Sequence, residues 1–488
     1  MTRKQVISMV MASAMCLGVV AQPVFAAEEP TFLTYTEEEI FNKVAGGWIG
    51  EMAGVSWAAP TEFYNFGKYF EDRMHPDFFI IPEEYVPEWT PEIINDSFDQ
   101  DDLFVDCTFL NTLADKGPYA NWKQFGEYFR DSEYWLAHAN KVGRNNLRAG
   151  IESPWSGHYS NTLHAYDIDW QIECDAVAMA CIGMPEVAKD IAFRAGHVMN
   201  YGDGVYGGVF VSTMYAAAYT ANSVREIIDA GMNAIPQDST FWQLQNDVIA
   251  NYEAGMSWEE NRTYLQEEWF VDRCPSASAW FDIDAKFNSG MILIGLLYGE
   301  GDLEKTMEIS MRCGGDSDCN PASAAGILGC YYGLDAIDDK WKSAADWDNT
   351  EFQYTGYTLR QAVEANMEVA KSIIIAMGGS VENGVWNIPV MEDQGAIILE
   401  QWPKDTNAAP EFDYVVSANG SDLTVYFDAL ATDEDDILEY EWFFGDLTHE
   451  KGASAEHTYR EAGTYKVTCY ASDGRGNTSW KQIDVLVR

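Results

Sequence analysis

Basic residues are scarce in this chain. Its 488 residues include 30 lysines and arginines against 78 aspartates and glutamates, which gives a formal net charge of −48 at pH 7. A protein this acidic repels the phosphates of nucleic acids, so nucleic acid is excluded as a main partner. The same excess of carboxylates is compatible with an extracellular protein that binds cations.

Paired cysteines and long apolar runs are also missing. The nine cysteines are scattered, with no Cys-x-x-Cys pair and no Cys/His spacing typical of zinc sites. Beyond the N-terminus, no apolar run reaches the length of a membrane span. Residues 1–26 carry Arg3 and Lys4, an apolar run through Val20 and a small-residue cleavage site that ends at Ala26. This pattern predicts a secretory signal peptide, and hence a secreted, extracellular or periplasmic protein.

Residues 314–333 join two aspartates to an apolar helix. Asp316 and Asp318 follow a pair of glycines, whose backbone freedom permits a tight loop. The nearly all-apolar run after them predicts a buried helix with Asn320 as its N-cap. Acids at a helix start can simply stabilise the helix dipole, or they can form half of a hard-cation site. The second interpretation requires another acidic segment.

Such a segment lies in the first quarter of the chain. The apolar spacing after Gln100 predicts a helix that starts there, with Asp101 and Asp102 in its first turn and Asp106 one turn further on. Here too the helix dipole alone can explain the acids. Two acidic helix starts that both lead into apolar helices favour a shared metal site.

The first helix after the predicted signal peptide is marked by a capping box and by glycines. Thr36 and Glu39 form the capping-box pattern, and the apolar residues after them have helical spacing. Glycines recur every four residues from Gly46 to Gly54, which predicts a smooth groove for another backbone. The helix leads towards Glu62, which taken alone is most simply a solvated acid in a loop.

Taken together and in this order, these motifs resemble the ADP-ribosylglycohydrolase family over residues 36–334. The resemblance implies an all-helical orthogonal bundle that holds two magnesium or manganese ions between an early and a late aspartate motif. It assigns the metal carboxylates to Asp101, Asp102, Asp316 and Asp318. It also makes Glu62 the mobile glutamate that gates the site and contacts metal or substrate. Glu62 and Asp102 are therefore the predicted catalytic residues.

Two positions depart from the family pattern. The residue before the aspartate pair is Gln100 in place of threonine, and the residue after Asp318 is Cys319 in place of threonine or serine. Both are included in the predicted metal site, although cysteine is a softer donor than glutamine and suits magnesium poorly. The expected cofactor is a divalent cation, magnesium ahead of manganese or calcium, with one or two ions bound.

The middle of the chain contributes further polar residues. Asp169 and Glu173 share a predicted helix face beside apolar neighbours, and Asp203 and Tyr206 lie in a glycine-rich loop before an apolar helix. Substrate contacts are predicted for all four. For Asp203 and Tyr206, a turn with structural glycines explains the pattern equally well.

Near the C-terminal end the hydrophobic pattern changes from helical to alternating. Residues 403–410 are predicted to be a linker. The segments 440–446, 457–459 and 463–467 resemble a PKD domain, with Phe443 in place of the usual acid. The resemblance implies an immunoglobulin-like β-sandwich, commonly a spacer or adhesion unit, that is open to surface or carbohydrate contacts and has no catalytic role.

The chain is therefore expected to be multi-domain: a signal peptide at 1–26, an all-α ADP-ribosylglycohydrolase-like catalytic domain at 27–404 and a PKD-like sandwich at 405–488. The predicted function is an exported, metal-dependent glycoside hydrolase that cleaves an N- or O-glycosidic bond at the anomeric carbon of a ribose-like furanose, ADP-ribosyl or related. One alternative keeps this chemistry but acts on an extracellular glycan furanoside. A second alternative is a non-catalytic sugar-binding or adhesive protein.

Overall fold

A computed structural model describes most of the chain. The described residues are 31–62, 80–270, 283–401, 410–418, 423–432, 439–473 and 478–488. The predicted signal peptide at 1–26 and all but the last residue of the predicted linker at 403–410 lie outside them. Residues 32–488 belong to a single structural unit, so contacts between the helical part and the β-sandwich can be described.

The N-terminal part is helical, because its apolar residues recur at helical spacing and many of its helices begin at a capping side chain. Thr36 and Glu39 form the predicted capping box at the first helix. The described helices are α1 (Glu37–Ala58), α2 (Asp101–Lys116), α3 (Trp122–Asp131), α4 (His138–Arg148), α5 (Asp169–Ile172), α6 (Asp175–Met179), α7 (Pro185–Gly196), α8 (Asp203–Ala218), α9 (Val224–Ala234), α10 (Thr240–Glu253), α11 (Trp258–Leu265), α12 (Ala285–Tyr298), α13 (Leu303–Arg312), α14 (Cys319–Tyr332), α15 (Asp339–Lys342) and α16 (Leu359–Ala376).

The C-terminal part is a sandwich of two antiparallel sheets. The described strands of the whole chain are β1 (Phe32–Thr36), β2 (Ser380–Glu382), β3 (Val385–Pro389), β4 (Glu411–Ala418), β5 (Thr424–Thr432), β6 (Glu439–Phe443), β7 (His449–Lys451), β8 (Ser454–Thr458), β9 (Gly463–Ser472) and β10 (Thr478–Val487). One sheet of the sandwich has the order β4-β5-β8 and the other β10-β9-β6-β7. Phe427, Trp442 and Val467 belong to the apolar core of the sandwich. The predicted order of a helical bundle followed by a β-sandwich is confirmed.

A small third sheet was not predicted. Strands β1, β3 and β2 pair in that order, and Thr36 at the start of α1 lies opposite Val385. This pairing joins the beginning of the helical part to the segment after α16. The part of the chain predicted to be all-α therefore carries a short β-sheet at its end.

The predicted glycine groove on α1 receives α14. A Cβ atom added to Gly50 would lie 2.2 Å from the carbonyl oxygen of Ala325, and one added to Gly54 would lie 2.6 Å from the carbonyl oxygen of Pro321. The two backbones approach so closely that no side chain fits at these positions. The contact places the end of α1, which leads to Glu62, beside the beginning of α14, which follows Asp318.

The predicted start of α14 is wrong by a few residues. Its N-cap is Asp318, whose side chain accepts a hydrogen bond from the amide of Cys319 at 3.1 Å. Asn320, the predicted cap, lies inside the helix and donates from Nδ2 to Oδ1 of Asn288 at 2.7 Å. Aspartate caps as well as asparagine does, and the buried Asn288 gives Asn320 a tertiary partner that local sequence cannot show.

The sandwich shares an apolar face with the helical part. Phe443 is 3% exposed and stacks on Phe193 of α7, with ring centroids 5.2 Å apart. Tyr470 packs against the same phenylalanine, and the hydroxyls of Tyr201 and Thr478 lie 2.8 Å apart. Phe443, the residue that replaces the usual acid of PKD domains, is therefore an interface residue.

Candidate active site and metal centre

The two aspartate motifs converge on one pocket. Oδ2 of Asp102 lies 3.4 Å from Sγ of Cys319, and one ligand atom each from Asp316, Asp318 and Cys319 fall within 4.8 Å of one another. Asp102 and Asp318 are each 2% exposed. The structure thus brings together acids that lie more than two hundred residues apart in the chain, as the interpretation of a shared site requires.

The pocket has a volume of about 240 Å³ within the described residues. Its lining residues are Glu62, Asp101, Trp135, Ala137, His138, Asn140, Ile168, Asp169, Ile172, Ile283, Gly315, Asp316 and Cys319. The acids occupy one side, whereas Trp135 and the isoleucines supply an apolar side. None of these described lining residues is a lysine or an arginine.

Buried hydrogen bonds hold the loop that carries Asp316. Oδ1 of Asn288 on α12 accepts from the amide of Asp316 at 3.0 Å. A Cβ at Gly315 would lie 2.5 Å from the same Oδ1, and the φ angle of this glycine is +67°. Glycine is required here both for the backbone conformation and for the close approach of the asparagine. The loop geometry thus depends on Asn288, which the sequence analysis missed because no local pattern marks it.

A pair of hydroxyls links the segment that carries Glu62 to the same loop. Oγ1 of Thr61 lies 2.8 Å from Oγ of Ser317, and both side chains are buried. Thr61 donates its single hydroxyl proton to the carbonyl of Ala58 at 2.7 Å, so Ser317 is the donor to Thr61. This contact fixes the backbone of Glu62 relative to Asp316 and Asp318.

Burial and repulsion from neighbouring carboxylates raise the pKa values of Glu62, Asp102 and Asp318. Burial first, and then the charges of Asp316 and Asp101, raise the pKa of Glu62 to about 8. Burial, with the charges of Asp101 and Asp316, holds the pKa of Asp102 well above its usual range. Burial and the charges of neighbouring carboxylates also raise the pKa of Asp318. Charged carboxylates in this arrangement need positive charge close by.

The residues of the cluster fit a hard divalent cation. Such ions take several oxygen ligands, and carboxylates of Asp102, Asp316 and Asp318 lie within or next to one small space. Cys319 offers sulfur at the position where the family pattern has a hydroxyl, and burial raises the pKa of its thiol well above the usual range. A protonated thiol is a poor ligand, so the oxygen atoms are the donors that fit the ion.

Gln100 and Asp106 lie beside the cluster without lining the pocket. The carbonyl of Gln100 accepts from the amide of Phe104 at 3.3 Å, and the Gln100 side chain does not cap α2. Oδ2 of Asp106 accepts from the amide of Ala176 at 2.6 Å. Asp106 therefore anchors α6 to α2, and the metal-ligand role predicted for Gln100 stays a prediction.

Asp169 lines the pocket, whereas Glu173 does not. Oδ1 of Asp169 accepts from the amide of Asn140 at 2.9 Å, while its Oδ2 is buried with no hydrogen-bond partner in the described structure. Glu173 is fully buried behind Asn140, whose side-chain amide donates to it. A direct substrate contact is available to Asp169, and Glu173 positions Asn140.

Asp203 and Tyr206 are engaged in structural contacts away from the pocket. Oδ2 of Asp203 lies 3.2 Å from Nζ of Lys286 and accepts from the hydroxyl of Thr240 at 2.9 Å. The hydroxyl of Tyr206 donates to the carbonyl of Ile398 at 2.8 Å. Both residues are 0% exposed, so the substrate contacts predicted for them have no support in this geometry. Both residues lie at the beginning of α8 (Asp203–Ala218), so the segment predicted to be a glycine-rich loop is helical at these two positions.

Three pocket residues came from sequence stretches that carried no motif. Trp135 and His138 lie in and beside the turn before α4, and Ile283 lies just before α12. Trp135 is 74% exposed, which is unusual for so large an apolar side chain. Its exposure at the pocket is visible only in the fold.

Comparison with known families identifies the helical part. The model of the ADP-ribosylglycohydrolase family matches residues 36–372, which is more than half of the chain. The chain belongs to the ADP-ribosylglycohydrolase family. The model of the PKD domain matches residues 407–487 of this ADP-ribosylglycohydrolase, a range that includes the strands of the C-terminal sandwich. Both resemblances seen in the sequence are confirmed.

Two solved structures are similar to parts of the chain. A chain of an ADP-ribosylglycohydrolase-related protein complex is 13% identical, with a TM-score of 0.42, and the match covers 69% of this chain and 99% of that one. The PKD1 domain of Vibrio anguillarum Epp is 28% identical, with a TM-score of 0.16, and the match covers 17% of this chain and 96% of that domain.

Membership of the ADP-ribosylglycohydrolase family supports a glycohydrolase-type function. The family is generally metal-dependent, and the pocket contains groups that could hold a metal ion. Among the described helices, none is both long enough and apolar enough to cross a membrane. The described cysteines are all unpaired thiols, so no disulfide occurs among them.

Proposed function

We propose that the chain is an exported glycosidase that uses a divalent cation to hydrolyse an N- or O-glycosidic bond at the anomeric carbon of a ribose-like furanose. One observation carries the proposal. Acidic side chains from four separate segments, those of Glu62, Asp101, Asp169 and Asp316, meet at one pocket whose described lining has no lysine or arginine to neutralise them. Burying like charges together is costly unless a cation joins them.

The aspartates would hold the cation. Asp101, Asp102, Asp316 and Asp318 supply its carboxylate ligands, with magnesium or manganese as the ions that suit oxygen donors. When bound, the ion supplies a Lewis acid that can hold vicinal sugar hydroxyls and polarise water. Asp102 is 2% exposed and lies beneath the pocket surface. Its place in the first turn of α2 holds its carboxylate in the position of a ligand.

Glu62 is the residue proposed to move a proton. It lines the pocket at the end of the short helical segment after α1, with its backbone fixed through Thr61 and Ser317. Burial first, and then the charge of Asp316, raise its pKa to about 8 in the metal-free site. Burial persists when an ion offsets the charge of Asp316, so the carboxyl group exchanges a proton closer to neutral pH than an ordinary glutamate does. A carboxyl group with this property can protonate a departing group or accept a proton from water.

The pocket favours a substrate with one sugar ring inside it. Its volume of about 240 Å³ lies below the roughly 300–1,000 Å³ of pockets that enclose drug-sized ligands. Trp135 at 74% exposure presents an indole face beside this space, on which a sugar or a base can lie. The group attached to the sugar would then extend past Trp135 into solvent.

The exposed Trp135 also supports a second candidate, an extracellular glycan furanoside as substrate. An indole face packs against the C–H face of a sugar as readily as against a nucleobase. The signal-peptide pattern at 1–26 and the PKD domain at 407–487 support an extracellular location for either substrate. The PKD domain is proposed as a surface or carbohydrate contact unit.

The test compares two substrate classes on one protein. The full chain, freed of metal with a chelator, is assayed with magnesium, manganese or calcium on an ADP-ribosylated peptide and on an aryl furanoside. We expect turnover of one class only, restored by the ion that fits the oxygen ligands. The same assays are run on Asp102→Asn, which removes one charged ligand of the proposed ion. Its matched control is Asp229→Asn, which changes an exposed acid of α9 paired with Arg225.

The outcomes separate the candidates. Release of ADP-ribose supports the first function, and release from the aryl furanoside supports the second. Full turnover in chelator, or an Asp102→Asn variant as active as Asp229→Asn, would contradict the metal-dependent mechanism. Sugar binding by calorimetry without turnover of either substrate would favour the non-catalytic alternative.

A further inference from the structure

A second group of metal-ligand side chains includes one residue that lines the pocket, His138. One ligand atom each from His138, His164 and Asp167 fall within 4.8 Å of one another. Nδ1 of His164 is 2.6 Å from Oδ2 of Asp167, and Nδ1 of His138 is 3.9 Å from the same oxygen. The chain has only seven histidines, so the convergence of two on one carboxylate is notable.

The group is held by buried structure. Asn200 donates from Nδ2 to the carbonyl of Asp167 at 2.9 Å and to the carbonyl of Ala165 at 3.1 Å. The amide of His164 donates to the hydroxyl of Thr162 at 2.9 Å. The side chain of Asp167 is 0% exposed. A turn fixed in this way presents His164 and Asp167 with little freedom to rearrange.

His138 is placed by its backbone. It is the first residue of α4, and its φ angle of +43° is uncommon for a residue other than glycine or asparagine. This conformation sends the ring to the pocket, which His138 lines, and its ring centroid lies 5.7 Å from that of His164. Such a backbone persists only where the surrounding structure holds it.

The donor atoms select a class of ion. Two imidazole nitrogens and one carboxylate oxygen suit zinc and similar borderline ions, whereas magnesium and calcium prefer oxygen alone. Catalytic zinc sites commonly have three protein ligands and one open position. Tetrahedral bonds of about 2.0–2.1 Å separate neighbouring ligand atoms by roughly 3.3 Å, which lies between the two distances in this group.

We propose that His138, His164 and Asp167 bind a zinc-class cation with one coordination position open to the pocket. The site is distinct from the aspartate cluster in ligand type and in position, although His138 and Asp316 line the same pocket. Asp169, which has one buried oxygen without a hydrogen-bond partner in the described structure, places a further carboxyl group near His164. An ion here would face any ligand that enters the pocket.

The experiment uses the metal alone. The full chain is kept in excess magnesium to saturate the oxygen site, and zinc is titrated by calorimetry, with cobalt absorption as a second readout of nitrogen ligands. Variants are His138→Asn, which suits the left-handed backbone, His164→Gln and Asp167→Asn. The matched control is His158→Gln, a histidine that hydrogen-bonds Ser160 outside the group.

We expect one zinc ion per chain, with affinity reduced at least about tenfold in each variant of the group and unchanged in His158→Gln. Asp316→Asn, which weakens the oxygen site, should leave zinc affinity within about threefold of the wild type. Circular dichroism checks that each variant is folded. The proposal fails if zinc does not bind in excess magnesium, if the folded histidine variants bind it normally, or if Asp316→Asn alone abolishes binding.

Discussion

Two buried regions of the molecule carry clustered acids, and they differ in whether a cationic side chain lies beside those acids. At the interface with the sandwich, Glu186 lies 2.7 Å from Nζ of Lys189, and Glu441 lies 2.7 Å from Nδ1 of His449. In the pocket, Glu62 and the aspartates face one another with no lysine or arginine among the described lining residues.

The pKa values record this difference. Burial favours the neutral ring of His449, but contacts with Glu186 and Glu441 outweigh it and raise the pKa of His449 to about 9. Burial opposes ionisation of Glu186 too, yet His449 and Lys189 lower its pKa below the usual range. In the pocket, burial and like charges act together and raise the pKa of Glu62 to about 8. At the interface, lysine and histidine offset the buried acids, whereas none of the described residues that line the pocket is a lysine or an arginine.

The strongest test of this contrast is Asp316→Asn. Under the proposed function, loss of one charged ligand should reduce metal-dependent turnover by at least about 100-fold, because the bound ion would stabilise the reacting charges. The same change removes repulsion among buried acids, so the Tm of the metal-free protein should stay constant or rise. Turnover and Tm are measured on the same preparation. A large fall in Tm would show that Asp316 is a structural acid like those of the interface.

Phe443→Asp tests the interface from its apolar side. Phe443 is 3% exposed against Phe193, so restoring the acid that is usual in PKD domains should cost about 3–5 kcal/mol of unfolding free energy. Val415→Asp, on the outer face of β4 at 50% exposure, is the control and should cost little. Chemical denaturation gives both values.

Deletion of residues 405–488 extends this test. Two separate apolar cores would make the deletion harmless to the helical part, whereas the shared face predicts a lower Tm for it. The shared interface would be contradicted if two results were found together. The truncated chain would keep the Tm that the helical part has in the full-length protein, and Phe443→Asp would leave the free energy of unfolding unchanged.

Glu441→Gln breaks a compensated pair. The change leaves His449 buried with one fewer carboxylate, and we expect a loss of about 3 kcal/mol in unfolding free energy with turnover of the small substrate unchanged. The exposed pair of Lys466 and Asp484 on the sandwich is the control, since Asp484→Asn should cost less than about 1 kcal/mol. Equal effects of the two variants would argue against a special role for the buried pair.

The pH dependence of stability separates the two regions. His449 has a pKa raised from 6.5 to about 9, so its contribution is complete below pH 6.5 and is lost as the pH rises to about 9. Glu62 has a pKa raised from 4.5 to about 8, so without a cation its ionisation also lowers stability as the pH rises through that range. A saturating divalent cation should weaken only the second effect, because it offsets the charges of the aspartates but not the burial of Glu62. Denaturation curves across pH, with and without magnesium, check this, and Glu441→Gln should weaken only the first.

The smallest expected effect concerns the two departures from the family pattern. Cys319→Thr restores an oxygen donor next to Asp102 and should tighten magnesium binding about tenfold. Gln100→Thr should change it less, because Gln100 does not line the pocket. Calorimetry with magnesium measures both. If Cys319→Thr also lowers native turnover, the site has been rebuilt for its own substrate rather than weakened.

The sequence alone determined the features that depend on near neighbours. The capping box of Thr36 and Glu39, the glycine groove of α1 and the helix beginning next to Asp101 follow from local hydrogen bonds and residue spacing. The aspartate motifs were visible for the same reason, because their order along the chain is itself a pattern. The switch from helical to alternating spacing separated the bundle from the sandwich.

The packing of distant elements determines which side chains come together in space. Substrate contacts were predicted for Asp203 and Tyr206. In the structure Asp203 pairs with Lys286 and Tyr206 donates to the carbonyl of Ile398, away from the pocket. Conversely, no Cys/His spacing in the sequence predicted the group of His138, His164 and Asp167. These residues come together because Asn200 holds the turn at Asp167 and because His138 has a left-handed backbone conformation. Contacts between distant segments depend on how whole elements pack, and residue spacing within one segment carries no record of that packing.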